Sequence, residues 1–298
     1  MGQRQKRSQF IFKLQYYAAL GIMKSIASIP RSIGLAIGQA LGIMAYVIDR
    51  KHRLLIIHNL KLAFPDKSIV WRRSVARDNF RNFGMLVLEF FQISRLSKDT
   101  MQSILQFEGE EYIQSALSKG KGVILLSAHT GNWELAGAGM SLVGLPINVV
   151  VKGIRNPYIN DIITIQRENA GTKIINRRNG IKGIVKALRN NEIVCFLVDQ
   201  AALKRNGMRL NFFNHPAWTN IGVIVLALKY NPTIIPTFAL RDGTRHRLVF
   251  QKPFELIRTD NFKADIRENA LRMNKVVEGI IREYPSQWFW MHNRWKQR

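Results

Sequence analysis

Residues 123–134 read VILLSAHTGNWE. Val123 to Leu126 form a run short and apolar enough for a buried strand. Thr130, Gly131 and Asn132 then break it and open a helix that carries Glu134. His129 is thereby delivered to the carboxyl end of a strand, at its turn into a helix. Positions five apart on one helix diverge by roughly 140° at ~100° per residue. His129 and Glu134 therefore meet only if His129 precedes the helix and Glu134 lies in its first turn. A carboxylate bonded to one ring nitrogen would fix the tautomer and support the imidazolium formed when the other nitrogen takes a proton from a hydroxyl. A plainer reading fits equally: with Gly131 as N-cap, Glu134 sits where amide groups and the helix dipole favour a carboxylate anyway. His129 is then a hydrogen-bonded structural residue.

From residue 107 the same rhythm repeats along the chain. Apolar runs at 122–127, 147–151, 173–176, 193–198, 233–240 and 246–251 predict strands. Helical periodicity falls between them, at 109–118, 132–143, 157–169, 180–190, 219–230 and 263–284. This alternation predicts an α/β fold with a mainly parallel sheet flanked by helices. Sites in such sheets lie beyond the carboxyl ends of the strands. His129, Lys152, Asn176 and Asp199 all fall at those ends.

The amino-terminal part is different. Arg4, Lys6, Arg7 and Lys13 precede an apolar segment at 14–23, and after Lys24 and Pro30 an uncharged stretch runs from 32 to 48. Its length is at the lower edge of what spans a hydrocarbon core of about 30 Å. Gly34, Gly38 and Gly42 recur every fourth residue, offering a face that another helix can approach closely. Three arrangements follow: a membrane-spanning helix, a pair of helices in the interface plane, or a glycine-rich helix packed on the domain. The first two give a membrane-attachment segment at residues 1–50, followed by a catalytic domain at 51–298. Residues 53–64 predict a short helix ended by Pro65, and 68–94 a longer one with Val75, Phe80, Phe83, Val87 and Phe90 inward. Its arginines, Arg72, Arg73, Arg77 and Arg81, suit either a phosphate ligand or plain solvation.

The 298-residue chain carries 45 Lys and Arg against 20 Asp and Glu, a formal net charge of +25. Its partners are therefore negative: anionic lipid, an acidic protein or nucleic acid. Nucleic acid is disfavoured, because the cations are scattered, no nucleic-acid motif occurs, and the uncharged 32–48 stretch has no role there. The single Cys195 lies in the run IVCFLV and reads as core. His215, His246 and His292 lack metal-ligand spacing, so neither a metal nor a cofactor is expected.

Together the motifs carry a resemblance. RLLIIHNLKLAFP at 53–65, SAHTGNWE at 127–134, Asn156-Pro157 with Arg167 and Gly171, the VDQ at 198–200, Gly207, Phe212-Phe213, Ala217-Trp218-Thr219 and the terminal WFWMHNRWK occur in one order and spacing. In these the chain resembles the bacterial lipid A biosynthesis acyltransferases, within the glycerolipid acyltransferase superfamily, from about residue 35 to residue 296. The resemblance implies a glycerolipid acyltransferase-like fold and acyl transfer from a thioester, on acyl carrier protein, to a hydroxyl of a lipid A precursor at the cytoplasmic face of the inner membrane. It implies His129 as general base and Glu134 as its partner. Arg167, Lys152 and Arg155 would meet phosphates of the glycolipid acceptor, with Lys152 standing where relatives often carry arginine. Asn132 opens the helix that would supply oxyanion donors, and Asp199 and Gln200 would line the site or merely cap a loop. Other acceptors, such as a mannosylated phosphatidylinositol, and an inactive membrane scaffold are the competing readings. The FPEGTR block of ordinary lysophosphatidate acyltransferases is absent. Two features stay open: Trp288, Trp290 and Trp295 suit either a lipid interface or closure of the core, and the stretch 201–216 predicts a lid or acceptor-binding loop.

Overall fold

The computed structural model describes residues 3–151, 153, 156–176 and 180–296, with side chains from residue 11 onward. Four helices come first: α1 (Gln3–Ser28), α2 (Arg31–Ile48), α3 (Arg50–Ala63) and α4 (Ile69–Gln92). Asp49 caps α3 by accepting from the His52 amide, and Ser68 caps α4 by accepting from that of Trp71. The α/β part follows in the order α5 (Lys98–Ile104), β1 (Leu105–Glu108), α6 (Glu110–Ser118), β2 (Val123–Ser127), α7 (Trp133–Leu142), β3 (Ile147–Val151), α8 (Pro157–Asn169), β4 (Lys173–Asn176), α9 (Gly180–Arg189) and β5 (Ile193–Leu197). A hairpin of β6 (Gly207–Phe212) and β7 (His215–Asn220) precedes α10 (Gly222–Tyr230), β8 (Thr233–Asp242), β9 (Arg245–Phe250) and α11 (Phe262–Glu283).

Seven strands form one sheet in the order β1-β9-β8-β2-β5-β3-β4. The run from β8 to β4 is parallel, while β9 lies antiparallel to β8 and carries β1 parallel to itself at the edge. Alternation along β2 divides the core. Ile124 and Leu126 pack towards α3, the start of α4, and α9 to α11, whereas Val123 and Leu125 pack towards α5, α6, α7 and the end of α4. β2 is buried along its whole length, so whatever follows it is presented from the middle of the sheet.

The glycine face of α2 meets α4. A Cβ at Gly38 would lie 2.7 Å from the carbonyl oxygen of Gly84, so the two backbones touch where side chains would keep them apart. The opposite face leaves Ile33, Ile37, Met44, Val47 and Ile48 exposed. By length and composition α2 could cross a membrane.

One expectation needs correction, and one pair of alternatives is decided. Much of the predicted 201–216 loop is the β6–β7 hairpin, closed by Phe213 and Asn214, both at positive φ. It is fastened by the fully buried Arg294, whose Nη1 donates to the Trp218 carbonyl and whose Nη2 donates to Thr219 Oγ1. The carboxyl-terminal tryptophans close the core: Trp288 and Trp290 are inaccessible, with ring centroids 4.5 Å apart, and Trp295 donates to the Phe212 carbonyl.

Candidate active site

The turn from β2 into α7 is held by its surroundings. Gly131 adopts a φ of +51°, and a Cβ there would stand 2.5 Å from the Ala239 carbonyl oxygen, so the position requires glycine. The segment after α11 runs alongside. The Gly131 amide donates to Gln287 O at 3.0 Å, and the Phe289 amide donates to His129 O at 2.9 Å. Asn79 on α4 fastens that segment by donating to the Ser286 and Trp288 carbonyls.

His129 therefore stands at the carboxyl edge of the sheet, edge-on to Trp133 at 5.0 Å and beside Phe289 at 6.2 Å. Its ring partner is Asp199, not Glu134. The Nδ1 of His129 lies 2.8 Å from Asp199 Oδ1, and Asp199 Oδ2 accepts from Trp288 Nε1 at 2.7 Å. The reason is strand register. β2 and β5 are parallel neighbours with Ser127 opposite Leu197, so two residues further on His129 and Asp199 stand side by side. Nδ1–H donating to the carboxylate leaves Nε2 with its lone pair, and the Gln200 amide nitrogen lies 3.4 Å from it.

The electrostatics follow from that pairing. Burial draws the imidazole pKa down, but the adjacent Asp199 carboxylate, through charge and hydrogen bond, and the charge of Glu134 outweigh it and hold His129 above its ordinary value. Burial pushes Asp199 up, yet His129 and the Trp288 N–H keep it below the ordinary carboxylate range.

Glu134 is turned the other way, towards α8. Its carboxylate accepts from Arg167 Nε at 2.9 Å and Nη2 at 2.6 Å, a two-pronged pair, and from Trp133 Nε1 at 3.2 Å. It reaches His129 through its field alone. Arg167, expected on acceptor phosphate, is committed to this carboxylate along one edge of its guanidinium.

Asn132 opens α7, as its place in the sequence predicts. It is buried; its Oδ1 caps α7 by accepting from the Leu135 amide, and its Nδ2 donates to Glu89 Oε2 at 2.8 Å. Both ends of its amide are thus engaged in shaping the turn. Glu89, which no sequence motif marks, also binds Arg31 at 2.5 Å, His246 Nε2 at 2.9 Å, and Arg241. Burial pushes Glu89 up, but the His246 hydrogen bond and the Arg241 charge outweigh it and hold the carboxyl well below its usual range. An acid alone in the apolar run LVLEFF is the one sequence signal for it. Trp288 stands out in the sequence only as part of an aromatic cluster, and nothing local marks it as a ligand of Asp199. Lys152 and Arg155 lie outside the described residues. Asn176 ends β4 at the same edge of the sheet. Among the described residues no three His, Cys, Asp or Glu side chains converge as they would around a metal ion.

Between the sheet and the helices α7 and α8 a cavity opens whose lining includes Trp133, the ring against which His129 stands edge-on. Ser127, Trp133, Glu134 and Arg167 line it near the histidine, and Leu125, Val149, Ala239, Leu248, Met140 and Phe90 continue it as an apolar channel. A concave, mostly apolar space with a few polar groups at one end is the usual form of a small-ligand site.

Comparison with known proteins identifies the family. The sequence profile described as "Bacterial lipid A biosynthesis acyltransferase" matches residues 3–297. The lipid A biosynthesis lauroyltransferase of Escherichia coli K12 is 27% identical, with 95% of this chain and 91% of the relative covered. The palmitoleoyltransferase of that strain is 28% identical over 94% and 90%, and its myristoyltransferase 24% over 95% and 88%. A match spanning nearly every residue makes the chain an acyltransferase belonging to the bacterial lipid A biosynthesis acyltransferase family.

Proposed function

We propose that the enzyme transfers a fatty acyl group from a thioester on acyl carrier protein to a hydroxyl of a phosphorylated glycolipid, the lipid A precursor, with His129 as general base. The observation that carries the reading is the His129–Asp199 pair, whose imidazole stands edge-on to Trp133, a residue that lines the apolar channel. Nε2 of His129 takes the hydroxyl proton, while Asp199 holds the ring's tautomer and balances the imidazolium. The alcohol oxygen attacks the thioester carbonyl, a C–O bond forms and the C–S bond breaks. The proton held on His129 passes to the leaving thiolate. The Trp133 and Glu134 amides at the start of α7 would donate to the developing oxyanion, and Arg167, steadied by Glu134, would add positive charge. Glu134 is thus a support that acts through Arg167 and through its field on His129.

Attachment to the membrane belongs to the same reading. Leu14, Tyr17 and Ile22 on α1 and the outward face of α2 are exposed and apolar, and the basic excess suits anionic lipid. Because α2 holds α4 along its glycine face, it lies along the inner membrane surface with the domain and does not leave it to span the bilayer. The cytoplasmic face is where an acyl carrier protein donor is met.

The test is transfer by the purified protein from acyl carrier protein thioesters to a lipid A precursor in mixed micelles, followed by mass spectrometry. A mass gain of one acyl group is expected. No gain with any chain length, or equal gain on a lysophospholipid, overturns the assignment.

A further inference from the structure

The helix α7 contains two interior glycines, and they differ. At Gly139 a Cβ would collide with Leu105 Cδ2, so packing explains it. At Gly137 a Cβ would meet nothing within 4 Å. Glycine is the poorest helix former after proline, and alanine would fit this position without contact. Neither helix geometry nor packing accounts for Gly137.

Its location does. Gly137 lies one turn beyond Glu134 on the stripe 134, 137, 141, and it lines the channel beneath the Glu134–Arg167 pair. By helix rise it is ~6 Å past Trp133, with Met140 another ~4.5 Å on. Its carbonyl accepts from Ser141 Oγ at 3.2 Å and Thr172 Oγ1 at 3.4 Å, so the backbone at this level is fixed and its polar oxygen satisfied. A side chain here would project into the channel from its wall.

We infer that Gly137 sets the bore of the channel and thereby the length of acyl chain the enzyme accepts. The inference rests on the reading that the channel houses the acyl chain. Leucine at this position adds four carbons to a space whose walls pack at crystal density, and it therefore displaces about four carbons of ligand. Alanine displaces roughly one.

The experiment compares wild type, Gly137→Ala and Gly137→Leu with a series of saturated acyl carrier protein thioesters that lengthen by two carbons. In Gly137→Leu, kcat/KM for the donor preferred by wild type should fall about 30-fold or more, while donors roughly four carbons shorter keep activity within about threefold. Gly137→Ala should melt no lower than wild type and lose the longest accepted donor first. A donor ranking unchanged from wild type in both variants overturns the inference. If Gly137→Leu does not fold, the Gly137→Ala ranking alone decides: a shift to shorter donors supports the inference and an unchanged ranking overturns it. Wild type that transfers no chain at all sinks the functional reading together with this one, whereas transfer with an unchanged ranking sinks this one only.

Discussion

Two buried carboxylates flank the turn between β2 and α7, and they are satisfied in different ways. Glu89, behind the turn, is enclosed by two arginines, a histidine and an asparagine, and its partners reach it from α2, β8, β9 and the start of α7. Asp199, in front of the turn, has one tryptophan and one histidine, and that histidine turns its other nitrogen away from the carboxylate, towards the Gln200 amide at 3.4 Å. A saturated cluster can only hold shape; a pair with one open end can move a proton. Burial alone does not separate structure from chemistry here. The difference lies in the histidine, whose second nitrogen meets only a long 3.4 Å contact from the Gln200 amide among the hydrogen bonds described.

That contrast can be broken. His129→Ala should lower transfer about 10⁴-fold or more while leaving the melting temperature within a few degrees, since the ring belongs to the groove and not to the core. A variant at wild-type rate removes the base from the scheme. Asp199→Asn should cost about 10³- to 10⁴-fold by favouring the wrong tautomer. The same variant has a pH signature. The carboxylate holds the imidazole above its ordinary value, and the base works only when neutral, so the acid limb of kcat/KM in wild type lies above the ordinary imidazole range. Removing the carboxylate lowers the histidine pKa, and the limb moves to lower pH. A limb that stays in place would show that another group titrates there.

Glu89→Ala sharpens the other half. Two arginines lose their carboxylate, and loss of one side of a buried charge cluster costs about 3–5 kcal/mol. Thermal unfolding should register this as a fall of about 10 °C, while the acid limb of the folded enzyme stays where it was. Glu134→Gln is expected to be the mildest. It weakens the hold on Arg167 and removes a charge that acts on His129 from outside hydrogen-bond reach, so transfer falls about tenfold and the acid limb moves down by less than in Asp199→Asn. If Glu134→Gln moves the limb further, the two acids exchange roles.

Much of the fold was legible in the sequence, because its cause is local. The strands at 147–151 and 173–176 and the helix at 157–169 stand where apolar runs, Asn156-Pro157 and the flanking turns set them. The glycines of α2 announced a close helix contact but not that α4 would make it. β1 left no sequence signal, being a four-residue edge strand whose pairing with β9 is about 140 residues distant in the chain. The hairpin was hidden because Pro216 and two asparagines resemble a loop, and what keeps it extended is an arginine from the far end of the chain. For the site, position was readable and partnership was not. His129 and Glu134 are five residues apart and look like a pair, yet Asp199, seventy residues away, is brought alongside by strand order alone.

The seam between α2 and α4 bears on how the protein can be handled. Trimming the first fifty residues to obtain a soluble fragment treats them as a tether, but here they are also a wall. Their loss would bare the Gly84 groove and take Arg31 away from Glu89, so the fragment would lose part of its interior. The full chain, rather than a truncation, is the form in which this fold keeps the shape that places its histidine.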